Sequence, residues 1–266
     1  MKTFTLAIRH LRRDWRSAEV RILVLALIVA VAAVSAVGFF TDRIDRVIEQ
    51  QAAELLGADL RVSSAVPLPS AFVESARSYD LHIAHFWEFP TVILHDDETT
   101  LVSVKAVNED YPLRGQLRVA DQWYGAETVT TTIPAPGKLW IEARLLSQLG
   151  LQVGDSLALG EMRFIIDKVL IYEPDRAGLF FQFAPRVLMN LADVEKTELV
   201  GLGSRVMYRL LVAGEQIAAY RAWLEKQVEP AQKIQGVEQS RPELRIALER
   251  AQRFLGLAAL VAVILA

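Results

Sequence analysis

The sequence predicts an α+β fold carried on a membrane-spanning helix, and three observations predict it. The run Ile22–Phe40 holds nineteen uncharged residues. At about 1.5 Å per residue it covers roughly 28 Å, the thickness of a bilayer's hydrocarbon core. Between residues 58 and 240, short β-patterned runs alternate with amphipathic helical stretches and Gly/Pro turns. A second uncharged run, Phe254–Ala266, closes the chain. Composition agrees: 52% of residues are hydrophobic but only 8% aromatic, and the excess is concentrated in those two runs. A net charge of −3 argues against a nucleic-acid surface, which is normally basic. With no cysteine there is no disulfide scaffold, no thiolate nucleophile and no Cys-ligated metal.

Residues 1–17 read as a short amphipathic helix on the cytoplasmic side, with Phe4, Ile8, Leu11 and Trp15 on one face and arginines on the flanks, a pattern suited to the headgroup plane. Residues 18–40 form the first spanning helix. A cleavable signal peptide is the competing reading, but the basic leader and the apolar run are both long for one. Six basic residues precede the run (Lys2, Arg9, Arg12, Arg13, Arg16 and Arg21) and only Arg43 and Arg46 closely follow it. That bias puts the N-terminus in the cytoplasm and the main domain across the membrane.

Helical periodicity continues over 41–57. Ile44, Val47, Ile48, Ala52, Leu55 and Leu56 make one stripe, and Gly57 offers the C-cap. A matching stripe of Leu244, Leu248, Ala251 and Leu255 marks a stalk helix over 241–253 and runs on into the following apolar run, with Pro242 in its first turn. The two stripes are expected to pack on one another as a two-helix stalk. Phe254–Ala266 is expected to be the first half of a second spanning helix, cut by the end of the sequence.

Between the stalks, Leu60–Ser63 reads as a strand and Pro69–Tyr79 as a helix. Leu81–Leu94 and Thr100–Val107 form a hairpin around Asp96-Asp97-Glu98. Residues 109–137 are loop-rich. Glu142–Leu149 is a helix capped by Gly150, and Ser156–Leu159 and Arg163–Tyr172 are strands about Gly160-Glu161. Strands at Arg186–Asn190, Arg205–Val212 and Lys233–Glu238 and a helix at Gln216–Glu229 complete the pattern. Segments 58–108 and 200–240 are each β-α-β units that can pair as one split α+β sandwich, leaving 109–199 as a smaller β-rich insertion.

The chain carries little that suggests catalysis. No phosphate-binding G-x-x-x-x-G-K-[ST] loop is present. In Gly201-Leu202-Gly203-Ser204 the serine falls outside the spacing of a nucleophile elbow. His82 and His85 lie in a β-patterned run, where an odd separation points them to opposite faces. Asp96, Asp97 and Glu98 lack the alternating ligands and glycine of a calcium loop. No catalytic, cofactor or metal residue is therefore assigned. Leu179, Phe180, Phe181 and Phe183 could form an exposed contact for lipid or a partner, or an ordinary buried strand; Trp123-Tyr124 carries the same ambiguity.

Taken together, the basic LAIRHLRRDWR leader, the spanning helix, LGADLRVSS, IEARLLSQLGLQVGDSLALGEMRFIIDKVLIYEPDR and the return segment ERAQRFLGLAALVAVILA resemble the N-terminal part of a MacB/FtsX/Lol-type ABC transporter permease. The likeness is to the long branch with two periplasmic domains and covers essentially the whole chain. It implies a MacB-like periplasmic core domain over 58–240, made of a porter-like subdomain (58–108 with 200–240) and a β-rich one (109–199). It also implies a LolD-like ATPase as a separate subunit, contact with membrane lipid, and ATP-driven periplasmic movements that handle lipids, lipoproteins or other hydrophobic substrates. An FtsX-like role, activating a periplasmic hydrolase, is the alternative.

Overall fold

The computed structural model describes residues 18–96, 98–176, 184–201 and 203–237, together with Arg250, Arg253 and Leu257. The chain divides into two units, residues 1–49 with 241–266, and residues 50–240.

The first unit contains most of helix α1, which runs unbroken from Ala18 to Leu56 over 39 residues. Ile22, Leu25, Ile28, Val29, Val31, Phe39 and Phe40 are all exposed on it. Among the described residues no helix is long and apolar enough to cross a membrane; the side chains of several α1 residues lie outside the described set. Beyond the apolar run, Asp42 and Arg46 form an exposed i,i+4 ion pair at 3.0 Å.

Among the described residues, the second unit is built on one eleven-stranded sheet. Its elements are β1 (Leu60–Ser64), α2 (Ser70–Ser78), β2 (His82–His95), β3 (Glu98–Val107), β4 (Leu117–Ala120), β5 (Thr128–Thr130), β6 (Lys138–Glu142), α3 (Ala143–Leu149), β7 (Ser156–Leu159), β8 (Met162–Tyr172), β9 (Arg186–Asn190), a 3₁₀ turn with α4 (Val194–Thr197), β10 (Met207–Ala213), α5 (Ile217–Leu224) and β11 (Gln232–Gly236). The strand order is β11-β1-β10-β2-β3-β9-β6-β8-β4-β5, with β7 paired to β8.

Strands drawn from 58–108 and 200–240 fill one half of that order, and strands drawn from 109–199 fill the other. In the first half, β10 lies between β1 and β2 and pairs antiparallel with both. This is the split β-α-β arrangement. The halves meet where β3 runs parallel to β9, from Ser103 opposite Arg186 to Val107 opposite Asn190. The last six residues of β3 and all of β9 are buried, as expected of strands covered on both faces.

Side-chain alternation divides the core between the two faces of the sheet. On one face, Leu60, Val62, Leu210 and Val212 pack under Phe72 and Ala76 of α2 and Tyr220 and Leu224 of α5. The same face continues through Val104, Val187, Met189 and Ile141 to Leu145, Leu146 and Leu149 of α3. The other face buries Ala84, Phe86, Leu211, Leu188 and Trp140 against Ala58 and Tyr111.

Most elements fall within a few residues of their expected bounds, and Gly150 caps α3 at φ 65°. Three strands were not foreseen. β4 and β5 lie inside the loop-rich stretch, and β6 directly precedes α3. Helix α5 ends at Leu224 rather than Glu229. Lys226 and Gln227 N–H bond three residues back, to Trp223 and Leu224 carbonyls, and Pro230 disfavours helix at the residue before it.

Candidate functional site

The features that set the second unit apart cluster where α1 ends. Gly57 takes φ +72°. Its N–H donates to the Glu54 carbonyl at 3.1 Å, and the Ala58 N–H to the Ala53 carbonyl at 3.2 Å, the pair of bonds of a Schellman cap. The Gly57 carbonyl then accepts from the Leu113 and Arg114 N–H groups at 3.1 and 3.0 Å. Arg114 also holds Asp59 through Nε and Nη2, at 2.9 and 2.7 Å. Asp59 accepts in addition from the Gly214 N–H at 3.0 Å. The loop after β3 therefore clamps the helix terminus onto the sheet.

Behind the clamp lies a buried ionic network. Its residues come from one face of adjacent strands: Arg61 on β1, Arg209 on β10, Glu88 on β2, Ser103 and Lys105 on β3, and Arg186 on β9. Arg186 donates from Nε to Glu173 Oε1 and from Nη1 to Glu88 Oε1 and Ser103 Oγ, each at 2.6 Å. Arg209 reaches the other Glu88 oxygen at 3.0 Å. Lys105 pairs with Asp175, lies 3.5 Å from Glu173 Oε2 and donates to the Tyr111 hydroxyl at 2.7 Å. The Tyr111 hydroxyl in turn donates to Asp175. Lys105 Nζ also sits over the rings of Phe86 and Tyr111, at 4.1 and 4.3 Å. Such contacts strengthen when desolvated.

Clamp and network are one structure. Tyr111 and Arg114 belong to the same loop. Asp175 lies so close to Gly57 that a Cβ there would stand 3.3 Å from the Asp175 Cβ. A Cβ on Gly115 would stand 3.0 Å from Pro174 and 3.4 Å from the Glu54 carbonyl in the last turn of α1.

The charges hold one another in their ionised forms. Burial pushes the Asp175 carboxyl up, but Lys105, Tyr111 and Arg61 outweigh it and bring it down to about 2. Burial likewise raises Glu88, and Arg186, Arg209 and Lys105 bring it below the usual carboxylate range. Tyr111 is driven up by burial and by Asp175 and Glu173, so it stays a neutral donor. Arg61 is the weakly compensated member. Burial and Arg209 lower its pKa, and its Nε and Nη2 donate to the neutral Gln235 amide oxygen at 3.1 and 2.7 Å. Among the described residues, Arg61 Nη1, Arg209 Nε, Glu173 Oε2 and Asp175 Oδ2 are buried without a hydrogen-bond partner. An ionic cluster of this kind fixes geometry. Neither Glu88 nor Asp175 is raised toward neutrality as a general acid would be.

Sequence reasoning did not single out these residues. The signal was present: Lys105 interrupts Val102-Ser103-Val104 and Ala106-Val107, and Glu88 interrupts an aromatic strand. Charges at buried strand positions are rarely left without partners. Of the stalk residues, Ile44 and Leu55 are half-buried, Val47 is exposed, and the Ile48 side chain lies outside the described set. Leu244, Leu248, Ala251 and Leu255 fall outside the described residues, as do Leu179, Phe180, Phe181 and Phe183. His82 and His85 both lie on β2. Ser204 sits in a loop, its Oγ bonded to the Gly201 N–H and the Leu199 carbonyl. Trp123 and Tyr124 stack at 5.4 Å on a loop, with Tyr124 93% exposed.

No family model matches the chain. It is 37% identical over 256 residues to the uncharacterized ABC transporter permease YbbP of Escherichia coli strain K12. That alignment covers 96% of this chain and 31% of the relative, so the chain spans about a third of the relative's length. Among solved structures it is similar to the periplasmic region of MacB from Actinobacillus actinomycetemcomitans. The TM-score is 0.46 at 6% identity, over 73% of this chain and 95% of that one. A domain of a putative permease protein from Porphyromonas gingivalis gives a TM-score of 0.39 at 11% identity, over 68% and 91%.

Proposed function

We infer that this chain, a sequence relative of an ABC transporter permease over nearly its whole length, is the part of such a permease that carries motion from the membrane to an extracytoplasmic domain. Ile22–Phe40 would span the inner membrane with the N-terminus in the cytoplasm. Residues 58–240 would stand in the periplasm as two coupled subdomains, one porter-like and one β-rich. ATP hydrolysis would belong to a separate LolD-like subunit, and the movements would serve the handling of lipids, lipoproteins or other hydrophobic substrates. Helices 41–57 and 241–253 would pack as a stalk.

One observation supports this most. A single helix carries the exposed apolar run and ends in a clamp backed by buried ion pairs. A helix is stiff along its axis, and a terminus fixed by five hydrogen bonds and a bidentate ion pair passes displacement on as rigid-body motion. At about 1.5 Å per residue, α1 is roughly 58 Å long, enough to link both sides of a bilayer.

The test is reconstitution of the full-length permease with its ATPase in lipid nanodiscs. ATP hydrolysis should depend on the permease, and weakening the clamp by Arg114→Ala should uncouple hydrolysis from domain movement without abolishing assembly. An ATPase indifferent to the permease would sink the reading. Stoichiometric capture and activation of a periplasmic hydrolase, with no bound lipid, would favour the FtsX-like role instead. These 266 residues contain no cysteine, so topology is directly measurable in this chain: the Asp42→Cys protein should react with a membrane-impermeant maleimide from the periplasmic side.

A further inference from the structure

The loop that clamps α1 also forms one wall of a cleft of about 550 Å³, within the range of small-molecule sites. Asp110 and Arg114 lie on the loop side; Arg77, from the last turn of α2, and His82, at the start of β2, lie on the other. Apolar side chains complete the lining: Leu81 and Ile83 on one side, Pro112 and Leu113 on the other.

The charges in the cleft are unequally occupied. Arg114 is committed to Asp59, and Asp110 accepts from the Asn108 side chain at 3.1 Å. Arg77 makes no side-chain hydrogen bond or ion pair among the described residues. Its electrostatic neighbour is His85. Burial lowers the His85 pKa, Asp110 raises it and Arg77 lowers it further. The planar guanidinium fork matches the oxygens of a phosphate or carboxylate. The cleft is much larger than a bare oxyanion, and Leu81, Ile83, Pro112 and Leu113 supply the apolar part of its lining.

We propose that this cleft binds an amphiphilic organic oxyanion, a phosphate ester or carboxylate with a short apolar portion, its charged head on Arg77 and its apolar part against Leu81, Ile83, Pro112 and Leu113. The Leu113 and Arg114 N–H groups are the donors that hold the Gly57 carbonyl. A ligand seated against this loop braces the clamp, so occupancy of the cleft and anchorage of α1 are coupled. The site stands on the geometry of residues 57–114 and does not rest on the permease reading.

The full chain in maltoside micelles is titrated with butyl phosphate, pentanoate and inorganic phosphate, followed by calorimetry and by hydrogen exchange. Saturable binding of butyl phosphate or pentanoate is expected, at least tenfold tighter than inorganic phosphate. The two organic arms tell whether the head is phosphate or carboxylate. Arg77→Gln should weaken binding at least tenfold with an unchanged melting temperature, and Arg77→Lys should retain part of it. Exchange at the Leu113 and Arg114 amides should slow on saturation. No saturable binding by either organic anion, or equal binding in the Arg77→Gln protein, overturns the site. Inorganic phosphate binding as tightly as butyl phosphate overturns the role of the apolar wall, and unaltered exchange at Leu113 and Arg114 overturns the coupling.

Discussion

Glu88 and Lys105 stand directly opposite each other in the β2–β3 ladder, yet each takes its ion pairs elsewhere. Glu88 turns to Arg186 and Arg209, and Lys105 to Asp175 and Glu173. A direct pair would have tied two strands that the backbone ladder already ties. Through these separate ion pairs, the two residues join four strands, the Tyr111 loop and the segment after β8 into one block.

Removing one member leaves its partners charged and buried. Lys105→Met should therefore destabilise the domain by about 3–5 kcal/mol, the usual cost of breaking a buried pair from one side. The double substitution Lys105→Met with Asp175→Asn should recover part of that loss. Thermal unfolding of the two proteins in detergent checks both; a single variant as stable as the parent would contradict the network's role.

The network also fixes an acid limb. The Asp175 carboxyl is held at about 2 in the folded state, below its unfolded value of about 3.9. A depressed carboxylate contributes stability that is full above the unfolded pKa and disappears as pH falls through the folded one. Glu88 shifts in the same direction. Stability should thus be level above about pH 5 and fall between about pH 4 and pH 2. In Asp175→Asn the fall should be shallower and the neutral-pH stability lower. Denaturant titrations across that range measure both.

Gly57→Ala places a methyl group at φ +72° and 3.3 Å from the Asp175 Cβ. The backbone alone should cost about 1–2 kcal/mol, and the crowding adds to it. Faster amide exchange at Gly57, Ala58 and Leu113 is expected, with the rest of the sheet little affected. Gly160→Ala is more severe. Its Cβ would meet the Thr197 carbonyl oxygen at 2.0 Å, so the β7–β8 turn must move and soluble yield should drop.

The β2–β3 hairpin exposes Val92, Leu94 and Leu101 by more than half, while Ile93 and Val102 on its other face are buried. Val92→Thr, Leu94→Thr and Leu101→Thr should each change stability by less than about 0.5 kcal/mol, as surface substitutions do. Ile93→Ala should cost about 2–5 kcal/mol. Chemical denaturation separates the two faces; a large loss on the outer face would mean that it is covered.

Much of the fold was legible because hydrophobic period and turn chemistry are local signals. Gly57 and Gly150 marked helix ends, Asp96 to Glu98 marked a hairpin, and the alternation of 60–63 and 205–212 marked strands that pair. β4 and β5 escaped notice because each is at most four residues long and flanked by glycine and proline. β6 was hidden because Leu139-Trp140-Ile141, buried on both faces, shows no alternation. The clamp and network were illegible for a different reason. Glu88 and Arg186 are 98 residues apart, and only the sheet order makes them neighbours. A lone charge in an apolar strand announces a partner without saying which. The aromatic segment at 179–183, which stood out most in sequence, has no counterpart among the described residues.

The ladder between β3 and β9 is, among the described residues, the strand pairing that joins the two halves of the sheet. It is five residue pairs long, is buried on both faces, and is crossed at Ser103 by the Arg186 side chain. Tearing it would expose the deepest part of both halves at once. Residues 50–240 should therefore melt in a single transition, and a pull applied at one edge strand should reach the other as a change of sheet twist and not as a hinge.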